Sequence, residues 1–138
     1  MYYYVDNRPK FLPYKLLDEV LSFAQYYLGL DEDYIVKIVF EEDLESGVLG
    51  YCDGEIDEEY VIEIKKQMNQ KEIIGTIFHE LVHVKQIIDG MLGEDGRTWA
   101  GIKYDTKKIP YDKLPWEKHA HMLQDFMVEE FFSEKEKK

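Results

Sequence analysis

The chain has 138 residues, of which 45% are hydrophobic and 33% charged, and these values are typical of a single domain, residues 1–138, with one hydrophobic core. Its 29 acidic residues outnumber 17 basic ones and give a formal charge of −12, which excludes nucleic acid and anionic membranes as expected partners. A disordered chain is excluded as well, because disordered chains hold few apolar and aromatic residues.

The first half of the chain predicts one helix followed by short strands. Apolar residues recur at helical spacing over residues 13–28, and Gly29 is a typical C-terminal cap. Three later segments are short and rich in β-branched or aromatic residues, and turn residues separate them. These strands are predicted over residues 34–40, 48–52 and 60–65. We therefore expect a small, mostly antiparallel sheet of about three strands.

The second half predicts two helices joined by a long loop. The first helix covers residues 71–89 and stops before Gly90. The second starts at Pro115, because proline is favoured at the first helical position, and it runs through residue 132. The loop, residues 91–114, contains three glycines and is of the kind often kept for function. The end of the chain, residues 132–138, is expected to be a frayed tail.

The N-terminus and the cysteine content bear on cellular location. Residues 1–6 show no basic stretch followed by an apolar one, and no segment reaches the roughly 18 apolar residues of a membrane span. Cys52 is the only cysteine, so no internal disulfide can form. We therefore expect a cytoplasmic protein that is held together by packing.

The sequence HELVH at positions 79–83 is an H-E-x-x-H motif within the helix predicted over residues 71–89. His79 and His83 lie one helical turn apart on one face, so a single cation can bind both. The aliphatic residues of this helix gather on the opposite side, which leaves room for a ligand beside the histidines. Because zinc suits imidazole and oxygen ligands, we predict that both histidines bind Zn²⁺ and that Glu80 takes a proton from metal-activated water.

A catalytic zinc site needs a third protein ligand, and the last predicted helix offers two candidates. Glu117 and His121 lie four residues apart, on one flank of the apolar stripe of that helix. Burying an unpaired carboxylate is costly, so a metal or a histidine is a natural partner for Glu117. The residues alone leave both Glu117 and His121 as candidates for the third ligand. His119 faces nearly the opposite side and is expected to be exposed.

With these residues the chain resembles the gluzincin type of zinc peptidase, and in particular small metallopeptidases of the minigluzincin or SprT-like kind. EKHAH at positions 117–121 is similar to the gluzincin pattern E-x-x-A-D, with His121 in place of the aspartate. The resemblance implies that Glu117 is the third ligand, and that His121 either orients a ligand histidine or replaces Glu117 as the ligand. The resemblance covers roughly residues 34–132. It implies a minimal zincin-like α+β domain in which the sheet packs on the first helix and on the motif helix, and the last helix closes the metal site. It also implies hydrolysis of a peptide or protein substrate. The DNA-repair role of SprT-like proteases is not implied, because no histidine lies between His83 and Lys118.

The resemblance also bears on how a substrate would be held. In zincins of this type the strand before the motif helix commonly aligns an extended peptide, so residues 60–65 are the expected wall of the cleft. The oxyanion that forms during hydrolysis needs a hydrogen-bond donor besides the metal. Tyr104 ranks first for this role, ahead of Tyr111, Arg97 and His119.

A second hypothesis comes from a different class of protein. The charge of −12 and the small size also suit an acidic binding protein or inhibitor in which zinc is structural or absent. A structural zinc site is normally closed by four protein ligands, whereas a catalytic site keeps one position open for water. Joint binding by Glu117 and His121 would therefore favour the binding protein, and an open position would favour hydrolysis.

Overall fold

The computed structural model describes residues 1–30, 33–44, 48–56 and 59–136. They form three helices, a mixed sheet of four strands and a separate two-stranded sheet, which confirms the predicted α+β class. The elements are β1 (Tyr2–Asp6), α1 (Tyr14–Leu28), β2 (Ile35–Glu41), β3 (Gly50–Ile56), β4 (Glu59–Lys65), α2 (Gln70–Ile88), β5 (Thr98–Trp99), β6 (Ile102–Lys103) and α3 (Pro115–Glu136), with a 3₁₀ turn over Tyr111–Lys113. Within these ranges no helix combines the length and the apolar composition that crossing a bilayer requires.

The sheet differs from the predicted one in strand number and direction. Its order is β1-β2-β4-β3, in which β1 and β4 run parallel to β2 while β3 is antiparallel to β4. The prediction of a mostly antiparallel sheet of about three strands is therefore wrong. Alternation along a strand determines which face is buried but not the direction of the neighbouring strand. Here α1 connects β1 to β2, and a helical crossover returns the chain parallel to the strand it left.

The three helices lie close to their predicted positions, with one difference at the end of the chain. α3 continues to Glu136, so residues 133–136 are helical and not a frayed tail, while 137–138 lie outside the described residues. Burial of a residue just before this last part of the helix, and one ion pair within it, hold it in place. Phe131 is only 4% exposed, and Lys135 forms an ion pair with Glu19 of α1.

Helix α2 is the central element of the fold. The side chain of Asn69 caps its N-terminus by accepting a hydrogen bond from the backbone N–H of Glu72, at 2.8 Å. The helix contacts α1, α3, β3 and β4, and residues 73–84 are all buried. Since a helix that is buried on all sides leaves its polar side chains without water, those side chains need partners inside the protein.

Two glycines allow β3 and α3 to lie directly against α2. A methyl group on Gly50 of β3 would lie 2.8 Å from Thr76 Cγ2 and 3.2 Å from Glu80 Cγ. A methyl group on Gly75 of α2 would lie 3.1 Å from Nε2 of Gln124 in α3. All three distances are shorter than ordinary contacts of a side-chain carbon, so the absence of a side chain at Gly50 and Gly75 lets β3 and α3 lie directly against the motif helix.

Candidate metal centre

His79 and His83 of α2 meet Glu117 of α3 where the two helices pack. Glu117 Oε1 lies 2.9 Å from His79 Nε2 and 3.1 Å from His83 Nε2. None of the three residues is more than 6% exposed. One potential ligand atom from each residue lies within 4.8 Å of the others. Within the described part of the chain, this is the group of His, Cys, Asp and Glu side chains that can hold a metal ion.

The histidine ring nitrogens are oriented for metal binding. His79 Nδ1 lies 2.9 Å from Gln124 Oε1, and His83 Nδ1 lies 2.8 Å from Gln86 Oε1. Because an amide oxygen only accepts hydrogen bonds, each Nδ1 carries a proton and donates it to its glutamine. In the metal-free cluster each Nε2 also donates, to Glu117 Oε1, and once Nε2 loses that proton the neutral imidazole offers its lone pair to a metal ion. A tetrahedral zinc ion with ligand bonds of about 2.1 Å separates its ligand atoms by about 3.4 Å. The observed separations of 2.9 and 3.1 Å need to widen only slightly to admit one.

The pKa values of the cluster favour an anionic oxygen ligand. Burial by itself would raise the pKa of Glu117, but hydrogen bonds from His79, His83 and Tyr111 outweigh burial and hold this pKa well below its ordinary range. Burial would likewise lower the pKa of His83, but the Glu117 carboxylate outweighs that effect and raises it. Glu117 is therefore ionised at neutral pH, and it attracts either a protonated imidazole or a metal cation.

Glu80 is a second buried carboxylate beside the cluster. It is 4% exposed and lines the same cleft as the two histidines. Burial raises the pKa of Glu80 to about 7, although the nearby charges of His83 and His79 act in the opposite direction. A carboxyl group with a pKa near neutrality can both accept a proton and return it at physiological pH.

The cluster and Glu80 line a cleft of about 770 Å³. Its walls come from α2, α3, β3 and the segment that follows α2. The predicted wall, residues 60–65, belongs to β4, which lies between β2 and β3 in the sheet and does not line the cleft. That prediction is wrong, because β3 folds back along β4 and becomes the edge strand beside α2. Chain order alone does not reveal which of two consecutive strands lies at the edge.

Tyr104, which ranked first as the oxyanion donor, is not brought to the cluster. Its ring packs edge-on against Trp116, with 5.9 Å between ring centroids, in a small hydrophobic cluster that includes Leu92 and Leu114. It is not among the residues that line the cleft. Tyr111 lines the cleft and hydrogen bonds to Glu117. Tyr111, and not Tyr104, therefore lies where it can take part in the chemistry of the site.

The two remaining histidines differ in their contacts: His121 packs on a ligand histidine, and His119 contacts a residue that orients the other one. The ring of His121 lies 4.5 Å from that of His79, measured between centroids, and lines the cleft. His79 Nδ1, however, donates its hydrogen bond to Gln124 Oε1 and not to His121. His119 was expected to be exposed, but it is half-buried and its Nδ1 lies 2.9 Å from Gln86 Nε2. The expectation for His119 is wrong because the segment after α2 covers that side of α3, with Trp99 against the His119 ring.

Gln86 and Gln124 are ligand-orienting residues that the sequence motifs do not contain. Gln86 follows His83 by three residues, and Gln124 follows Glu117 by seven, so each lies on the cluster-facing side of its helix. Gln86 Nε2 also donates to the backbone carbonyl of Trp116, at 3.1 Å, and thereby links α2 to α3. Helical spacing from the ligands is the signal that would have identified both glutamines.

Gln124→Ala is expected to weaken zinc binding by about 10- to 100-fold, because the His79 ring loses the acceptor that holds its Nδ1 proton and its orientation. The affinity can be measured by competition with a chromogenic chelator. Gln67→Ala, at an exposed position outside the cleft, is the matched control and should bind zinc like the wild type. Equal affinities for both variants would show that Gln124 does not orient the ligand.

Comparisons of the chain with protein-family models, with curated proteins and with solved structures found no match. Interpretation of the site therefore depends on the geometry and chemistry of its own residues. The resemblance of the 79–83 and 117–121 motifs to gluzincins stays a prediction.

Proposed function

We propose that the protein is a zinc-dependent peptidase of the gluzincin type, in which His79, His83 and Glu117 bind the metal and Glu80 is the catalytic base. The observation that carries this proposal is the convergence of three buried ligand-type side chains on the wall of an open cleft, beside a further buried carboxylate. Three protein ligands leave one position of a tetrahedral ion for water, as in catalytic zinc sites. This feature favours hydrolysis over a structural zinc site.

The side chains around the cluster suit the steps of peptide hydrolysis. A zinc ion held by His79, His83 and Glu117 would supply Lewis acidity toward the substrate carbonyl and would lower the pKa of a bound water. Glu80 accepts a proton from the attacking water while the C–O bond forms, and it then passes that proton to the amine nitrogen as the C–N bond breaks. Partial burial and the neighbouring Glu117 keep the pKa of Tyr111 above its ordinary value, so its hydroxyl remains protonated and can donate a hydrogen bond to the oxyanion.

Strand β3 supports a peptide as the substrate. In the described sheet order β1-β2-β4-β3 it is the edge strand on the cleft side. An extended peptide can add to an edge strand as a further strand. Such pairing would hold the peptide backbone next to Glu80, whose Cγ would lie only 3.2 Å from a methyl group on Gly50.

Metal content and cleavage test the proposal together. Purified protein is expected to bind zinc at close to one ion per chain by elemental analysis, to cleave casein or a mixed peptide library, and to lose cleavage reversibly when a chelator removes the metal. Products are identified by mass spectrometry. Stoichiometric zinc without any cleavage would favour the acidic binding protein with a structural metal. Failure to bind zinc would remove the metal-site proposal itself.

A further inference from the structure

The walls of the cleft carry two exposed carboxylates outside the metal cluster. Asp53 belongs to β3, and Glu94 belongs to the segment between α2 and β5. Among the described residues that line the cleft there is no lysine or arginine. A cleft lined by one sign of charge focuses the electric field and attracts ligands of the opposite sign. The cleft is therefore suited to a positively charged ligand.

Asp53 is also part of a larger group of carboxyl groups. Glu63 of β4 hydrogen bonds to Asp53 and to Glu41 of β2, on the sheet face opposite the buried Ile62 and Ile64. The hydrogen bond with Asp53 is the largest cause that raises the pKa of Glu63 to about 7, and partial burial is the second. The neighbouring negative charges of Asp53 and Glu41 act in the same direction, because they favour the protonated form. A positively charged side chain beside these groups would relieve their mutual repulsion.

The position of Asp53 in β3 brings it within reach of a substrate. In the pairing with β4, Cys52 lies opposite Ile62 and Gly54 lies opposite Val61, so the ladder skips Asp53. Such a bulge bends the strand and redirects the side chain at that point. Asp53 also lines the same cleft as Glu80, the proposed catalytic base. A substrate side chain next to Asp53 would thus lie in the same cleft as the bond that is cut.

From these features we infer that the substrate is a basic peptide segment, with a lysine or arginine next to Asp53 and a second basic side chain next to Glu94. This substrate class rests on the proposed peptidase function. The formal charge of −12 adds a long-range attraction that speeds the encounter with cationic peptides and slows that with anionic ones. An acidic peptide would bring like charges next to both carboxylates, so the cleft discriminates against it.

Binding can be measured without cleavage in zinc-loaded Glu80→Gln protein, by fluorescence anisotropy. The probes are three short labelled peptides that share one sequence except at two positions, which carry lysine, glutamine or glutamate. At low salt the lysine peptide is expected to bind about tenfold more tightly than the glutamine peptide, and the glutamate peptide most weakly. The difference should shrink at about 0.5 M salt, because salt screens exposed charges.

Variants that replace carboxylates by neutral amides show which residues cause the preference for the lysine peptide. In the Glu80→Gln background, Asp53→Asn with Glu94→Gln is expected to remove most of the advantage of the lysine peptide and to leave binding of the glutamine peptide unchanged. Glu130→Gln with Glu134→Gln removes the same charge from exposed positions of α3 that do not line the cleft, and should keep the preference. Equal binding of lysine and glutamine peptides, no binding of the lysine peptide up to about 1 mM, or a preference that survives the Asp53 and Glu94 changes would each overturn the inference.

Cleavage by the wild type separates this inference from the proposed function. Hydrolysis of all three peptides with equal binding would leave the peptidase in place and remove the charge preference. Tight binding of the lysine peptide with no hydrolysis of any peptide would keep the preference and remove the peptidase. Both proposals together predict that kcat/KM is about tenfold higher for the lysine peptide than for the glutamine peptide.

Discussion

Glu80→Gln is expected to lower kcat for peptide hydrolysis by about 10²- to 10⁴-fold, because glutamine cannot accept the proton of the attacking water. The substitution preserves the size of the side chain, and Glu80 is not one of the three residues, His79, His83 and Glu117, that are proposed to bind the metal. Zinc content and peptide affinity should therefore stay close to those of the wild type. Single-turnover cleavage, zinc analysis and peptide binding measure the three quantities in the same preparation.

The same substitution is expected to stabilise the metal-free protein at neutral and alkaline pH. The pKa of Glu80 in the folded state, about 7, lies above its ordinary value of 4.5, so the folded state binds this proton more tightly than the unfolded state does. Stability therefore falls as the pH rises from about 4.5 to 7, and glutamine, which resembles the protonated acid, removes that fall. Above pH 7 the gain is on the order of 3 kcal/mol, and below pH 4 it should vanish.

Chemical denaturation at pH 4 and pH 8 measures the gain, and Glu72→Gln serves as the control. Glu72 lies on the same helix, but it is exposed and does not line the cleft. The control should keep full activity and show no stabilisation at pH 8. A Glu80→Gln variant that cleaves peptides as fast as the wild type would remove Glu80 from the mechanism. A variant no more stable than the wild type at pH 8 would show that burial does not raise the pKa of Glu80.

Glu117→Gln is expected to weaken zinc binding by more than about 100-fold, since loss of a ligand exceeds the effect of losing a residue that only orients one. It also removes the carboxylate that accepts from His79 and His83 across the α2–α3 interface. Breaking a buried ion pair costs about 3–5 kcal/mol, so the metal-free protein should be destabilised by a similar amount. Isothermal titration with zinc and chemical denaturation measure the two effects separately.

The pH dependence of this destabilisation follows from two pKa shifts in the metal-free protein. The lowered pKa of Glu117 contributes stability that is present above its ordinary value of 4.5 and is lost as the pH falls through the folded value. The raised pKa of His83 contributes stability that is present below 6.5 and is lost as the pH rises through the folded value. The difference between wild type and Glu117→Gln should therefore be largest between pH 4.5 and 6.5.

Glu129→Gln, at an exposed position on α3, is the matched control for Glu117→Gln and should leave both zinc affinity and stability unchanged. Wild-type zinc affinity in Glu117→Gln would remove Glu117 from the ligand set. If, in addition, His121→Ala then lost zinc binding, the third ligand would be His121, whose ring packs on His79.

Local sequence patterns were sufficient to predict the helices and the three residues of the metal cluster. The apolar periodicity of residues 71–89 predicted α2 to within one residue at each end, because a long amphipathic helix repeats its signal over several turns. The i, i+4 spacing of His79 and His83 likewise depends only on helical geometry. The pairing of Glu117 with these histidines was also predicted, since a carboxylate on the apolar flank of a helix needs a partner when it is buried.

The strand arrangement and the surroundings of the cluster were decided by long-range contacts. Parallel pairing of β2 with β4, and the position of β3 at the edge, depend on how the chain crosses the sheet, which no single strand encodes. The path of residues 91–114 brought Tyr111 to Glu117 and left Tyr104 packed on Trp116. The sequence by itself therefore determined the residues that repeat with the period of a helix, whereas only the tertiary structure decided which side chains from separate segments surround them.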